Sequence, residues 1–352
     1  VSSRDSFKCQ AKGSKLITKS GIKNIEDVKI GDTIWTGFSW QKVTNWIDDG
    51  IKDGIKITTY RNYQFTGSPI HRYWALRDGR EQWIKSEDLD PSRDLICINN
   101  NIERKISIDQ EKYDLGYFLG ILIGDGGLSF LEYEKGSSFF ALTTVDEYIK
   151  NFFFDFCIKK WGYTPRSATD KITYRVAKQD AVKFLLNECG VKKSLSHQKT
   201  IPDIVWTDPS ISIGFINGVF DTDGTFEKSK KNMLFSMSAE KLLKEMQILL
   251  LSLGIISSFR KAKKLVQFKD ENLKQNHLTC HLTINGHEVV KFEKIGFVNR
   301  SIKSGKIHIP QIPDAHDVIP WSHLDFLKEV MSFKKKTRNT VGRKIKTPIN
   351  LY

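Results

Sequence analysis

The sequence has no CxxC pair. Its five cysteines, Cys9, Cys97, Cys157, Cys189 and Cys280, are scattered over 352 residues. That excludes a cysteine-ligated zinc module and a disulfide scaffold, and it fits a reducing, intracellular compartment (cytoplasm or nucleoid) in preference to secretion. No apolar run is long enough to span a membrane, so no membrane partner is expected. The polar stretch Val1–Lys8 does not read as a signal peptide. Acid is in short supply: 41 Asp and Glu stand against 55 Lys and Arg, a net charge of +14 with a pI near 9.4. Such a balance points to a polyanionic partner. What is present is ample apolar material, 39% hydrophobic against 27% charged, which excludes a disordered chain. At roughly 100–200 residues per domain, the length suggests two or three domains.

The charge is uneven. Residues 1–100 carry 16 basic and 13 acidic groups, a net of +3, and residues 101–352 carry the remaining +11. The first hundred residues read as β-rich, with short runs at Lys15–Thr18, Thr33–Trp35, Ile55–Tyr60, Arg72–Leu76 and Leu95–Ile98. Turn signals such as Ser20-Gly21, Asp49-Gly50 and Asp78-Gly79 separate them. Asn99-Asn100-Asn101 reads as a linker. Helical patterns then dominate. Thr144 with Glu147 predicts a capping box before a helix to about Trp161. Gln179–Cys189 reads as a helix stopped by Gly190. Ser238 is placed to cap Ala239–Leu253, and Gly286–Ile295 forms a shorter helix.

This second region contains an internal repeat. GYFLGILIGDGG at 116–127 returns as GFINGVFDTDGT at 214–225, and each copy is followed by a similar pattern that closes on a lysine shortly before Ile-Pro. Read as helices, Gly116, Gly120 and Gly124 lie on one face, as do Gly214, Gly218 and Thr222. Each glycine costs a helix about 1 kcal/mol relative to alanine, so such a stripe makes sense where another backbone comes very close. Asp125 and Asp223 end the two helices. If the helices pack side by side in parallel, both carboxylates reach one place, beside two negative helix ends. That arrangement calls for a cation, and hard oxygen ligands with an open shell suit Mg²⁺. A divalent ion presented there to a phosphodiester would support phosphoryl transfer.

These paired motifs, YFLGILIGDGG and FINGVFDTDGT, resemble the signature of single-chain LAGLIDADG homing endonucleases, over roughly residues 108–310. The resemblance implies a pair of pseudo-symmetric αββαββα units whose sheets form a saddle over double-stranded DNA. It also implies a monomer with an internal pseudo-two-fold axis. It would make Asp125 and Asp223 ligands of a catalytic Mg²⁺, with Mn²⁺ able to substitute and the carbonyls of Gly124 and Thr222 assisting. A lysine near each site is implied as well: Lys199 in the first unit and Lys303 in the second, where Lys306 competes for the role. DNA contacts are expected from the strands after each motif, at Ser137–Thr144, Lys171–Ala177, Glu227–Ser238 and Ser257–Phe268. The last stretch holds Arg260, Lys261, Lys263 and Lys264. Residues 330–352 carry seven basic groups and no acid. Lys334, Lys335 and Lys336 among them read as a flanking DNA contact or as a solvated tail.

CQAKGSKLITKSGIKNIEDVKIGDTIWT at 9–36 resembles the first block of Hint (intein-type) domains, and TGSPIHRYWAL at 66–76 resembles the second. The resemblance makes Cys9 the nucleophile of an N–S acyl shift and His71 its assistant. Cys9 as an inert, half-buried thiol is the competing reading. Ser68 stands where the family has threonine, and Ile349-Asn350-Leu351-Tyr352 lacks the His-Asn used for the last splicing step. The chain would then be an incomplete intein, half of a split one, or a retained Hint fold.

The expected architecture is α+β: a Hint-like all-β domain at 1–100, LAGLIDADG units at 108–205 and 206–310, and a basic extension at 311–352. The expected function is a Mg²⁺-dependent, site-specific DNA endonuclease in an intein-like protein. The alternatives are a splicing or autoprocessing element, and an intron maturase or DNA-binding regulator that does not cleave.

Overall fold

The computed structural model describes residues 9–98, 102, 106–129, 138–192, 195–227, 232–267 and 274–295. Residues 9–98 form short strands and two 3₁₀ turns, with no α-helix among the described residues. The strands are β1 Lys15–Thr18, β2 Gly21–Asn24, β3 Thr33–Trp35, β4 Trp40–Lys42, β5 Ile55–Thr58, β6 Gln64–Gly67, β7 Arg72–Arg77, β8 Arg80–Lys85 and β9 Leu95–Ile96. They pair as three small sheets, β2-β1-β3-β4, β5-β6 and β8-β7-β9. Asp78 and Gly79 close the β7–β8 hairpin, both at positive φ (52° and 76°), as a two-residue loop of the primed type requires.

Two units of like topology follow. The first runs α1 Gln110–Asp125, β10 Gly126–Ser129, β11 Phe139–Thr143, α2 Glu147–Trp161, β12 Arg166–Ser167, β13 Thr173–Val176 and α3 Gln179–Lys183. The second runs α4 Pro209–Asp223, β14 Gly224–Glu227, β15 Asn232–Met237, α5 Glu240–Ser252, β16 Ser258–Gln267, β17 Lys274–Ile284 and α6 His287–Ile295. Their sheets are ordered β10-β11-β13-β12 and β14-β15-β17-β16, antiparallel throughout and identical in connection. The mixed α/β architecture and the repeat are therefore both present. Among the described residues no helix is long and apolar enough to cross a membrane, and all five cysteines are free.

Local chemistry sets the helix starts. The Asp109 carboxylate accepts from the backbone N–H groups of Glu111 and Lys112 to begin α1, and Asp208, followed by Pro209, accepts from Ser210 N to begin α4. Two expected caps are corrected. At α2 the cap is Asp146, which accepts from Tyr148 N and Ile149 N, while Thr144 accepts from Asp146 N. A carboxylate adjacent to the first turn displaces the hydroxyl two residues earlier. At α5 the cap position falls to the fully buried Ala239, with no side-chain bond, and Ser238 stays outside. The predicted helix over Gln179–Cys189 is α-helical to Lys183 and then widens into a π turn at Phe184–Glu188.

One apolar core runs through both units. Phe118, Phe140, Phe153 and Trp161 interlock in the first, and Phe220, Phe235 and Phe292 in the second. Ile22 of β2 joins the same core. The β-rich segment is fastened to the second unit at a second place. Tyr63 is fully buried, and its hydroxyl accepts from Ser257 N at 3.1 Å. Around it Gln247 Nε2 donates to Arg61 O (2.8 Å), Arg61 Nη1 to Ser258 Oγ (3.1 Å) and Asn62 Nδ2 to Phe259 O (3.0 Å).

Candidate active site

The glycine stripes meet as the sequence requires. A Cβ placed on Gly116 would collide with the carbonyl of Ile211. One on Gly120 would stand 2.8 Å from Gly218 Cα and 2.9 Å from Val219 N, and one on Gly124 would stand 2.7 Å from Thr222 Cβ. The contacts advance together along both chains, so α1 and α4 run parallel and their C-terminal ends converge. Tyr117 also ties the pair: its hydroxyl donates to Asp221 Oδ2 at 2.7 Å.

At the converged ends, Asp125 is exposed and Asp223 half-buried. A Cβ on Gly124 would lie 3.1 Å from Asp223 Oδ2, so the second unit's carboxylate overhangs the first unit's backbone one residue before Asp125. Thr222 turns its hydroxyl back to the carbonyls of Gly218 and Val219, both at 3.1 Å.

Lys199 reaches this place from the link between the units. Its Nζ donates to Gly124 O at 2.8 Å and to Ile123 O at 2.5 Å. The link is pinned nearby, where Ile201 N donates to Glu245 Oε2 at 2.9 Å. Burial lowers the Lys199 pKa from the ordinary lysine value, and the charges of Asp223 and Asp125 oppose that shift. The first-unit lysine is thus within electrostatic reach of both carboxylates.

Among the described residues no group of three or more His, Cys, Asp or Glu could hold a metal. The donor set available is two carboxylates with backbone carbonyls at two negative helix ends. That fits a hard cation which keeps part of its water shell, as Mg²⁺ does.

Sequence reading missed Asp221. It is buried, it stands where the first motif has Ile123, and with Asp125 it lines a cavity of about 320 Å³ walled by Thr143, Thr144, Val145, Asp146, Ile149 and Ile172. Burial, then the Asp221 charge, pushes the Tyr117 hydroxyl far up, so it stays a donor. The signal was available: an acid two residues before Asp223 on a helix with no other charged residue.

The sheet faces sort the basic residues. On β16, Phe259 and Lys261 point toward α5, where Lys261 Nζ meets Glu240 Oε2 at 2.6 Å. Arg260 lies on the opposite, open face beside His281, and it is exposed. Arg166 and Arg175 occupy the matching face of the first sheet, paired across β12–β13. Lys263 and Lys264 sit on β16 opposite Leu278 and His277, their side chains outside the described residues. Lys303, Lys306, Lys334, Lys335 and Lys336 also lie outside them.

Cys9 and His71 both meet the Gly67–Ser68 backbone. Cys9 O accepts from Ser68 N at 2.9 Å, Gln10 bridges to Gly67, and His71 N donates to Ser68 O at 2.9 Å. A Cβ on Gly67 would lie 3.0 Å from His71 Cβ and 3.2 Å from Cys9 O. Gln10 Nε2 and His71 Nε2 are 3.5 Å apart.

Two α/β units are thus joined by glycine-packed parallel helices, each ending in a carboxylate. Residues 210–296 match the family model described as a LAGLIDADG-like domain, which spans the second unit from the start of α4 to the end of α6. A curated relative is the ATP-dependent DNA helicase Hel308 of Methanocaldococcus jannaschii, 23% identical over 273 residues, 76% of this chain. The chain spans about a fifth (22%) of that relative's length. Among solved structures, the homing endonuclease I-DmoI in complex with DNA and Mn is 19% identical, with a TM-score of 0.36 over 52% of this chain and 96% of that one. I-DmoI with DNA and Ca is 18% identical, with a TM-score of 0.38 over 63% and 100%. The N-terminal LAGLIDADG domain of DUF199/WhiA is 13% identical, with a TM-score of 0.32 over 56% and 89%.

Proposed function

We propose that the chain is a site-specific double-strand DNA endonuclease of the LAGLIDADG homing type, carried within an intein-like protein. Residues 108–205 and 206–310 would each grip half of a long site, on the order of two duplex turns at ~10 base pairs each. Residues 1–100 would be a Hint-like β domain, and 311–352 a basic extension. The observation that carries this reading is the convergence of Asp125 and Asp223 at parallel helix ends, with Lys199 beside both.

Asp125 and Asp223 would hold Mg²⁺ or Mn²⁺, helped by the carbonyls of Gly124 and Thr222. When bound, the ion neutralises phosphate charge and makes water a stronger nucleophile. The chain's own groups do the rest. Lys199 would place its ammonium next to the phosphate, held there by the carbonyls of Ile123 and Gly124. The open sheet faces, with Arg166 and Arg175 on one and Arg260 on the other, would contact the duplex, mainly its phosphates.

The test is Asp125→Asn and Asp223→Asn. Each should abolish Mg²⁺-dependent cleavage of selected target DNA while retaining its binding. Near-normal cleavage by either variant would sink the assignment.

A second reading, autoprocessing at Cys9, is favoured by the placement of Cys9 against the Gly67–His71 turn.

A further inference from the structure

A flexible four-carbon stem separates the Lys199 backbone from its ammonium, so the ammonium stays on the α1 end only where that backbone is fixed. The link between the units is fixed from two directions. From one side Glu245 of α5 reaches into it, and its Oε2 accepts from Ile201 N at 2.9 Å. Ile201 is buried, and the two residues from Lys199 to Ile201 span at most about 7 Å of chain. From the other side the β1–β2 turn packs on the 3₁₀ turn at Asp203–Trp206. A Cβ on Gly21 would collide with the carbonyl oxygen of Trp206 and stand 2.6 Å from that of Thr207. Lys15 Nζ lies 4.2 Å from the centroid of the buried Trp206 ring. The β1–β2 turn is itself stiffened, because Thr18 Oγ1 accepts from Gly21 N at 3.1 Å and donates to Gly21 O at 3.0 Å. The glycine-packed helices account for none of Glu245, Lys15 and Gly21.

We propose that Glu245 and the β1–β2 turn position Lys199, clamping the link so that its ammonium is held at the paired helix ends. The N-terminal β segment is in this way a working part of the cleavage centre. This rests on the endonuclease reading. Glu245, Lys15 and Gly21 are positioning residues, which act through the backbone of residues 199–207. Without the Glu245 acceptor, Ile201 N is left unpaired next to a buried side chain, and the backbone must shift to satisfy it. Lys199 moves with that backbone.

The charges agree with this packing. Burial pushes the Glu245 carboxyl up, and the Ile201 N–H, then the charges of Lys241, Lys15 and Lys192, oppose that shift. Burial lowers the Lys15 ammonium, and Glu245 leads the acids that oppose it, ahead of Asp203, Asp27 and Glu26. The carboxylate that holds the link and the ammonium over Trp206 therefore sense each other, one from the second unit and one from the β segment.

The experiment uses the full chain with two readouts, and melts confirm that each variant is folded at the assay temperature. Glu245→Leu removes the acceptor, whereas Glu245→Gln keeps one in its amide oxygen. The first readout is single-turnover cleavage of selected target DNA, measured beside the Kd for that DNA. Glu245→Leu should slow cleavage by about tenfold while Kd stays within about twofold of the parent. Glu245→Gln should recover most of the rate, and Lys15→Met should slow it by about twofold to fivefold. Glu245→Leu combined with Lys199→Met should be no slower than Lys199→Met alone, because the two residues act as one unit. The second readout needs no DNA: acetylation of Lys199 by trace acetic anhydride, mapped by peptide mass, should rise several-fold in Glu245→Leu as the amine leaves its carbonyls. Should Glu245→Leu fail to fold, Lys15→Met, alone and with Lys199→Met, carries the same comparisons. Losses that multiply in the double variant, or unchanged acetylation of Lys199 in a chain whose parent cleaves, overturn the inference alone. A parent chain that cleaves no target defeats the endonuclease reading, and the positioning role falls with it whatever the acetylation shows.

Discussion

Lys199 Nζ sits 2.8 Å from the carbonyl oxygen of Gly124, a side chain from the link between the units resting on the helix end that carries Asp125. Burial lowers its pKa while both carboxylates oppose the change. A lysine whose folded pKa lies below its unfolded value binds fewer protons when folded, within the window between the two. Stability therefore rises with pH through that window, which ends at the ordinary value of 10.5. The expected outcome is that Lys199→Met flattens this alkaline rise in thermal melts, compared with the parent at each pH. The same variant should slow DNA cleavage by about tenfold to a hundredfold, measured in single turnover.

The glycine contacts give a stability prediction with an internal control. Gly120→Leu or Gly218→Leu should cost about 3 kcal/mol or more, because backbone atoms occupy the space each new side chain needs. Gly127→Ala, with nothing within 4 Å of the added carbon, should change stability far less. Denaturant melts that show equal effects at the three positions would contradict the packing described.

Tyr63 closes the second unit from outside. Tyr63→Ala should cost about 3–5 kcal/mol, the range for emptying a buried aromatic site, and it also removes the acceptor of Ser257 N. A fragment of residues 101–352 should melt well below the full chain for the same reason. Its loss of DNA cleavage, if seen, must be read beside circular dichroism, because deletion unseats Ser257–Phe259 at the start of β16.

Arg260 and Lys261 are neighbours in sequence with opposite surroundings. Arg260→Ala should weaken DNA binding and lower the salt slope by about one. Lys261→Ala should leave that slope nearly unchanged, since its ammonium is already engaged by Glu240. Titrations at several salt concentrations distinguish the two, and equal losses would mean that Lys261 leaves Glu240 for phosphate.

Much of this arrangement was legible because it is periodic. The spacing of Gly116, Gly120 and Gly124 against Gly214, Gly218 and Thr222 has one physical use, and the structure puts it there. The placement of Asp125 and Asp223 followed from the helix ends, whereas Lys199 stands out only because the resemblance implies a lysine there. What escaped was set by contacts distant in sequence. Arg61 meets Ser258 across 197 residues, and no local pattern around the Tyr60–Tyr63 turn marks a buried tyrosine. The caps of α2 and α5 were misread because several hydroxyls and acids compete within three residues, and burial chooses among them. Strand alternation on β16 could have separated Arg260 from Lys261 once Phe259 was assigned to the core.

Around Gly116, Gly120, Gly214 and Gly218 the closest approaches between α1 and α4 are to main-chain atoms. The helices that carry Asp125 and Asp223 are therefore held together by buried backbone contacts, which do not change when surface side chains do. On the proposed reading, the sheet faces could be rewritten residue by residue to recognise a new DNA sequence while the offset between the two cut positions stays constant. Under that reading, target choice and cutting geometry would be separate inheritances, joined in one chain but free to drift at different speeds.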